Sequence, residues 1–155
     1  ELEVISRDQT RPNGIALSPD ESTLYVANSD PNNAVWMAYD IGDGGVSNPR
    51  VFYDVTGEEG EGGADGLKLD VAGNIFATGP GGVWIFSPDG SHLGTIQPDE
   101  APANVAWGDD GSEHWRNSPT RFGASRLPAL WAGTEARYTT ERKPRCWKAP
   151  ASMRT

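Results

Sequence analysis

The sequence predicts an all-β protein built from repeated units of four antiparallel strands. Nineteen glycines and 12 prolines interrupt the 155 residues. The apolar residues form short runs, not long stripes with the 3.6-residue period of a helix. Turn-forming residues separate these runs at short distances, which is typical of sheets with tight connections.

The first repeated unit extends to Asp54. A short strand is predicted at 2–5, and four more follow at 14–18, 23–27, 34–39 and 50–54. The segments 19–22 and 42–45 have the composition of turns. Four antiparallel strands within about 50 residues is the size of one blade of a β-propeller.

The same order of strands and turns recurs further along the chain. Strands are predicted at 66–70, 74–78, 82–86 and 92–96, and a third unit opens at 104–107. The openings at Asn13, Asp65 and Asn104 have the same phase, with offsets of 52 and 39 residues. This repeat favours a propeller, and an ordinary all-β sandwich with accidental similarity is the alternative.

The charge is unevenly distributed along the chain. The net charge is −9, but residues 1–112 contain 19 acidic and 4 basic residues, whereas residues 113–155 contain 3 acidic and 9 basic residues. The overall acidity argues against a nucleic-acid partner. A mean hydropathy of −0.56 and the lack of a long apolar run argue against a membrane span.

The repeat stops where the charge changes. A return strand is expected after Ser112, but residues 113–117 do not resemble the strand at 23–27. We therefore predict a partial propeller of about two and a half blades at 1–112 and an irregular basic tail at 113–155. The tail is either a diverged or partner-binding extension or, as the abrupt change favours, a non-native product of a changed reading frame. The nucleotide sequence distinguishes the two.

Cysteine usage bears on the cellular compartment. The single Cys146 excludes an internal disulfide and a cysteine-based zinc cluster. The chain starts at Glu1, as a trimmed chain or a fragment would, and no basic-then-apolar leader is visible. These features favour the cytoplasm without establishing it.

Several motifs carry a resemblance to a known family. They are RPNGIALSPD at 11–20, LYVA at 24–27, ADGLKLD at 64–70, GNIF at 73–76, TGPGGVW at 78–84 and FSPDG at 86–90. In this order they resemble the gluconolactonase and regucalcin (senescence marker protein) family over about residues 2–112, with Ala64 where proline is usual. The resemblance implies a six-bladed propeller and metal-dependent hydrolysis of sugar lactones.

The resemblance also implies a metal site with Asn13 and Asp65 as ligands at the mouth of the central tunnel. Amide and carboxylate oxygens suit Ca²⁺ best, with Zn²⁺, Mg²⁺ or Mn²⁺ as alternatives. A cation there would polarise a lactone carbonyl, and Asp65 is the expected base for the attacking water. The alternative is that Asn-Gly and Asp-Gly only form turns.

The remaining polar and aromatic candidates are expected to be structural. Asn104 is expected in a turn or in a supporting position, and Trp36, Trp84 and Trp107 in the core between blades. The turn aspartates Asp20, Asp70, Asp89 and Asp109 are expected to be solvated.

The family's further ligand, a glutamate of the first blade, and its substrate-holding arginine and asparagine have no counterpart here. We therefore expect weak metal binding, low activity towards the lactone and self-association through open blade faces. A non-catalytic metal- or ligand-binding propeller module and an inactive truncated product are the alternative functions.

Overall fold

The computed structural model describes residues 4–107, 113–117 and 122–126. These residues form strands and no helix, and nothing in them could cross a membrane as an apolar helix. The strands are β1 (Pro12–Leu17), β2 (Thr23–Asp30), β3 (Asn33–Gly42), β4 (Gly45–Asp54), β5 (Leu67–Leu69), β6 (Ile75–Gly79), β7 (Gly82–Phe86), β8 (His92–Ile96), β9 (Asn104–Trp107), β10 (Glu113–Asn117) and β11 (Phe122–Arg126).

The strands form three antiparallel sheets in chain order. The first sheet has the order β1-β2-β3-β4, the second β5-β6-β7-β8, and the third β9-β10-β11. Each strand pairs with the next one along the chain, and every connection within the first two sheets is a hairpin. This is the partial β-propeller that the repeat predicts.

One type of turn is used twice, in SPDES at 18–22 and in SPDGS at 87–91. In the first, Asp20 Oδ1 accepts hydrogen bonds from Ser18 Oγ at 2.6 Å and from the amide of Ser22 at 3.1 Å. In the second, Asp89 Oδ1 accepts from the amide of Ser91 at 3.1 Å and from Ser87 Oγ. The aspartate therefore closes the turn with its own side chain, which fixes the hairpin.

The first strands of successive sheets approach each other closely. A Cβ on Gly14 of β1 would lie 2.1 Å from the carbonyl oxygen of Asp65, and a Cβ on Gly66 would lie 2.1 Å from Asn104 Oδ1. Only glycine leaves room for this approach. The openings of all three sheets are therefore neighbours.

Apolar side chains fill the two spaces between sheets. Trp36 of the first sheet lies with its ring centroid 6.3 Å from Trp84 and 5.3 Å from Phe86 of the second. Between the second and third sheets, Phe76 packs against Val105 and stacks edge-on with Trp107. The prediction that the three tryptophans serve the core is confirmed.

Two sequence predictions about secondary structure differ from the structure. Val4 and Ile5, within the strand predicted at 2–5, are not in a strand and are 58% and 55% exposed, because no described strand pairs with them. Within the segment predicted as an irregular tail, β10 pairs with β9 and β11 pairs with β10. Backbone pairing does not require the apolar alternation that the sequence lacks there. Asp109 and residues 127–155 lie outside the described residues.

Candidate functional site

The predicted ligands Asn13 and Asp65 are neighbours in the structure. Asn13 is the second residue of β1, and Asp65 lies just before β5. The close approach of Gly14 to the Asp65 backbone brings these two strand openings together. The side chain of Asn13 lies close enough to the Asp65 carboxylate to lower the pKa of that carboxyl group. The structure thus joins the two residues across two sheets.

Ser29 of β2 holds this pair in place. Its hydroxyl accepts a hydrogen bond from Asn13 Nδ2 at 3.1 Å and donates one to the carbonyl of Ala64 at 2.5 Å. One side chain therefore orients Asn13 and also anchors the residue before Asp65. The sequence analysis did not identify Ser29, because its partners lie 16 and 35 residues away in the chain.

The second sheet uses a hydroxyl in a comparable way. Thr78 in β6 is fully buried, and its Oγ1 donates to the carbonyl of Gly66 at 3.1 Å and lies 3.4 Å from that of Ala103. Ala103 precedes Asn104 as Ala64 precedes Asp65. In the first two sheets, a hydroxyl side chain on the second strand thus lies against the backbone just before the opening of the next sheet. A Ser or Thr on the second strand is the sequence signal that could have indicated Ser29.

Burial sets the electrostatics of Asp65. Partial burial raises the pKa of its carboxyl group, and the hydrogen bond from Asn13 lowers that pKa by a smaller amount. In the part of the chain that the structure describes, the only salt bridge joins Arg50 to Asp40, so no basic side chain compensates Asp65. A half-buried, uncompensated carboxylate attracts a cation.

Asn104 occupies the equivalent position in the third sheet but has a different environment. Its Oδ1 accepts a hydrogen bond from the amide of Val105 at 2.8 Å, and its side chain covers Gly66. The oxygen is used by the backbone, as expected for a turn residue. Of the turn aspartates, Asp20, Asp70 and Asp89 each accept backbone amides within their own turns.

The donor chemistry fits two positions around a hard cation. Asn13 uses its amide nitrogen for Ser29, so Oδ1 is the atom that remains for a cation. Oxygen donors of this kind suit Ca²⁺ or Mg²⁺. Among the described residues, no group of three or more His, Cys, Asp or Glu side chains is placed so that it could hold a metal ion. Further ligands would have to come from water, from other parts of the protein or from substrate.

Known proteins resemble this chain in sequence. It is 41% identical over 120 residues to a gluconolactonase of Zymomonas mobilis, which covers 71% of this chain and 33% of the relative. The chain thus spans about a third of that relative's length.

Solved structures also resemble the chain. A gluconolactonase of Xanthomonas campestris shares 28% identity with a TM-score of 0.68, over 75% of this chain and 37% of the other. Regucalcin of Agrobacterium tumefaciens, described as a calcium-binding protein, shares 29% identity with a TM-score of 0.64, over 74% of this chain and 40% of the other.

The match to a family model covers most of the chain. The model of the SMP-30/gluconolactonase/LRE-like region matches residues 1–114, which include both the Asn13 and the Asp65 openings. The first and second sheets and β9 lie wholly within this match. The chain belongs to the SMP-30/gluconolactonase/LRE-like family.

Proposed function

We propose that Asn13 and Asp65 form part of a metal-assisted centre that hydrolyses sugar lactones. The observation that carries this proposal is the close approach of two successive sheets at Gly14 and Asp65, which brings an amide near a half-buried carboxylate whose pKa is raised by burial. The gluconolactonases of Zymomonas and Xanthomonas support the reaction class. Regucalcin supports a divalent cation, with Ca²⁺ as the first choice.

The side chains of this chain would divide the work of the reaction. Asp65 accepts a proton from the attacking water, and the new oxygen–carbon bond forms at the lactone carbonyl. As the ring ester bond breaks, the proton passes to the departing ring oxygen, which gives the open hydroxy acid and restores the carboxylate. Asn13, held by Ser29, orients Asp65. A bound cation supplies polarisation of the carbonyl and acidification of water.

The pair by itself supplies a small part of a cation's coordination shell. Affinity for Ca²⁺ grows with the number and charge of its ligands, so one carboxylate and one amide give a dissociation constant of about 1 mM or weaker. We therefore expect slow or undetectable hydrolysis by the 155-residue chain alone. Faster hydrolysis would require ligands from outside the described residues.

Calcium titration and a pH-stat assay test this proposal. An aldonolactone is the substrate, and wild type is compared with Asp65→Asn and with Asp43→Asn, which changes an exposed aspartate of the β3–β4 turn. We expect weak Ca²⁺ binding that Asp65→Asn abolishes and Asp43→Asn preserves. Equal binding by both variants would exclude the site, and rapid turnover by this chain alone would refute its incompleteness.

A non-catalytic propeller module is the second candidate. It is favoured by the finding that, among the described residues, no group of three or more His, Cys, Asp or Glu side chains is placed to hold a metal ion. A protein that contains the complete propeller separates the two functions. Asp65→Asn there should remove most of the hydrolysis rate of a lactonase, whereas a binding module should lose its cation and keep its partner.

A further inference from the structure

The main chain at the opening of β5 is bonded to a single residue of the neighbouring strand, Thr78 of β6. The Asp65 amide donates to the Thr78 carbonyl at 3.2 Å. The Gly66 carbonyl accepts the Thr78 amide at 2.9 Å and the Thr78 hydroxyl at 3.1 Å. Two residues at the opening thus face one residue of β6, as in a β-bulge, and a bulge re-aims the side chain that it carries.

The other polar groups of this opening are also held. The Ala64 carbonyl accepts the Ser29 hydroxyl at 2.5 Å, and the Gly66 amide donates to the Ala103 carbonyl at 3.0 Å. The carbonyl of Asp65 itself lies in the close contact with the first sheet. Because the main chain is fixed on both sides of Asp65, its side-chain torsions are the rotations left to the carboxyl group.

The Thr78 hydroxyl adds a constraint that the sheet does not need for its own hydrogen bonds. The Gly66 carbonyl already accepts the Thr78 amide, and the Ala103 carbonyl, 3.4 Å from the hydroxyl, already accepts the Gly66 amide. The hydroxyl lies between these two carbonyls on a fully buried side chain. Burial of a hydroxyl costs free energy that a hydrogen bond only offsets, so packing alone gives no reason for one at this position.

The corresponding position of the first sheet shows that an opening can form without this hydroxyl. The residue before Ala27 pairs with Ile15, and the residue before Thr78 pairs with Leu67. Ala27 and Thr78 therefore hold the same place in two sheets, and both are fully buried. Ala27 stands opposite the opening that contains Asn13. The hydroxyl is thus present beside the carboxylate and absent beside the amide.

We propose that Thr78 is a positioning residue for Asp65, because its hydroxyl fixes the Gly66 carbonyl and thereby the direction in which the Asp65 side chain leaves the main chain. The importance of that direction rests on the proposed function, in which Asp65 is both ligand and base. A ligand that is held in place before the cation arrives loses less conformational freedom on binding. Thr78 itself touches neither cation nor substrate in this assignment.

Thr78→Val and Thr78→Ser separate the hydroxyl from the packing. Valine keeps the shape of the side chain and removes the hydroxyl, whereas serine keeps the hydroxyl and removes the methyl group. Thr78→Val should fold, because the carbonyls of Gly66 and Ala103 each keep a main-chain donor. The matched control is Thr56→Val, since the Thr56 hydroxyl accepts the Ala34 amide at 2.9 Å and bonds to no residue of the opening at 64–66.

Two measurements on the 155-residue chain test the proposal. The first compares the amide NMR signals and hydrogen exchange of Asp65 and Gly66 without any ligand. We expect Thr78→Val to shift both signals and to speed both exchange rates more than Thr56→Val does, and Thr78→Ser to retain the wild-type signals. The second is a calcium titration, in which Thr78→Val should weaken binding by about tenfold, while Thr78→Ser and Thr56→Val keep the wild-type affinity.

The outcomes separate positioning from packing and from the proposed function. Unchanged Asp65 and Gly66 signals in Thr78→Val overturn the proposal, and so does a Thr78→Ser variant that behaves like Thr78→Val. A wild type that binds no calcium refutes the proposed function, and the amide signals then decide the positioning by themselves. If Thr78→Val does not fold, the wild-type Thr78 hydroxyl proton decides. It should exchange slowly and show contacts to the opening, and its absence from the spectrum overturns the proposal.

Discussion

Ser29 of the first sheet donates a 2.5 Å hydrogen bond to the carbonyl of Ala64 at the opening of the second. The same hydroxyl receives Nδ2 of Asn13. A residue with no proposed contact to substrate thus sets the distance between two sheets and the orientation of one proposed ligand. Its removal should affect folding and cation binding together.

Ser29→Ala is predicted to lower the free energy of unfolding by about 1–2 kcal/mol, because it leaves the Ala64 carbonyl and the Asn13 amide without their partner. The affinity for Ca²⁺ should fall severalfold, since Asn13 loses its orientation. Urea denaturation and calcium titration measure the two effects. Ser47→Ala, at an exposed position of β4, is the control. Indistinguishable results for the two variants would show that the Ser29 hydroxyl has no such role.

Gly14→Ala is predicted to disturb the contact between the first two sheets. The new Cβ would lie 2.1 Å from the Asp65 carbonyl oxygen and 2.9 Å from Leu67 Cδ2. Backbone must move to relieve this clash, so the loss of stability should reach about 3 kcal/mol or more. Gly44→Ala, with no atom within 4 Å of its Cβ, should be close to wild type. Thermal unfolding of both variants is the measurement, and similar melting temperatures would contradict the close approach.

Asp20→Asn is predicted to have a pH-dependent effect on stability. The hydrogen bond from Ser18 Oγ, followed by those from Ser22, lowers the pKa of Asp20 from 3.8 to about 2. Because the folded state favours the carboxylate, its contribution is complete above pH 3.8 and is lost as the pH falls through about 2. Wild type should therefore melt above the variant at neutral pH, and the gap should close near pH 2. A gap that stays constant over this range would contradict the assignment.

Glu21 and Gly90 have the same left-handed backbone conformation, so introducing glycine at the first and removing it at the second should change stability in opposite directions. Glu21 has φ +58° and Gly90, at the same place in the second turn, has φ +87°. Left-handed backbone costs a residue with a side chain about 1–2 kcal/mol. Glu21→Gly should thus raise stability by about 0.5–1 kcal/mol after the entropy cost of glycine, and Gly90→Ala should lower it by about 1 kcal/mol. Chemical denaturation measures both, and changes of equal sign would refute the comparison.

Local pattern was enough to predict most of the strands and the repeat. β2, β3, β6 and β7 have apolar runs bounded by turn residues, and their predicted positions agree with the structure. β4 starts at Gly45 and not at Arg50 as predicted. The prediction missed its first half because Ser47, Asn48 and Pro49 are not typical strand residues, and the backbone of this edge strand has φ +50° at Asn48. Polar edge strands carry little sequence signal.

The candidate site was predictable in part. The equal phase of the openings indicated that Asn13 and Asp65 lie near each other, as they do. The phase of the repeat could not indicate that Ser29 bonds to both Asn13 and Ala64, because those contacts depend on how the sheets pack. That the Asn104 oxygen accepts the amide of the next residue depends on the conformation of its own side chain, which the phase does not specify. Whether the pair binds a cation stays a prediction, as does the origin of the segment after residue 112.

The equivalence of the three openings has an evolutionary consequence. Asn13, Asp65 and Asn104 stand at repeated points of one scaffold, where Gly14 approaches the Asp65 backbone and Gly66 approaches Asn104. An exchange of amide for acid at any of them alters the local charge by one unit with almost no change in side-chain volume. Duplicated blades can thus diversify the ions and molecules they attract one position at a time, while the architecture that presents those positions is inherited intact.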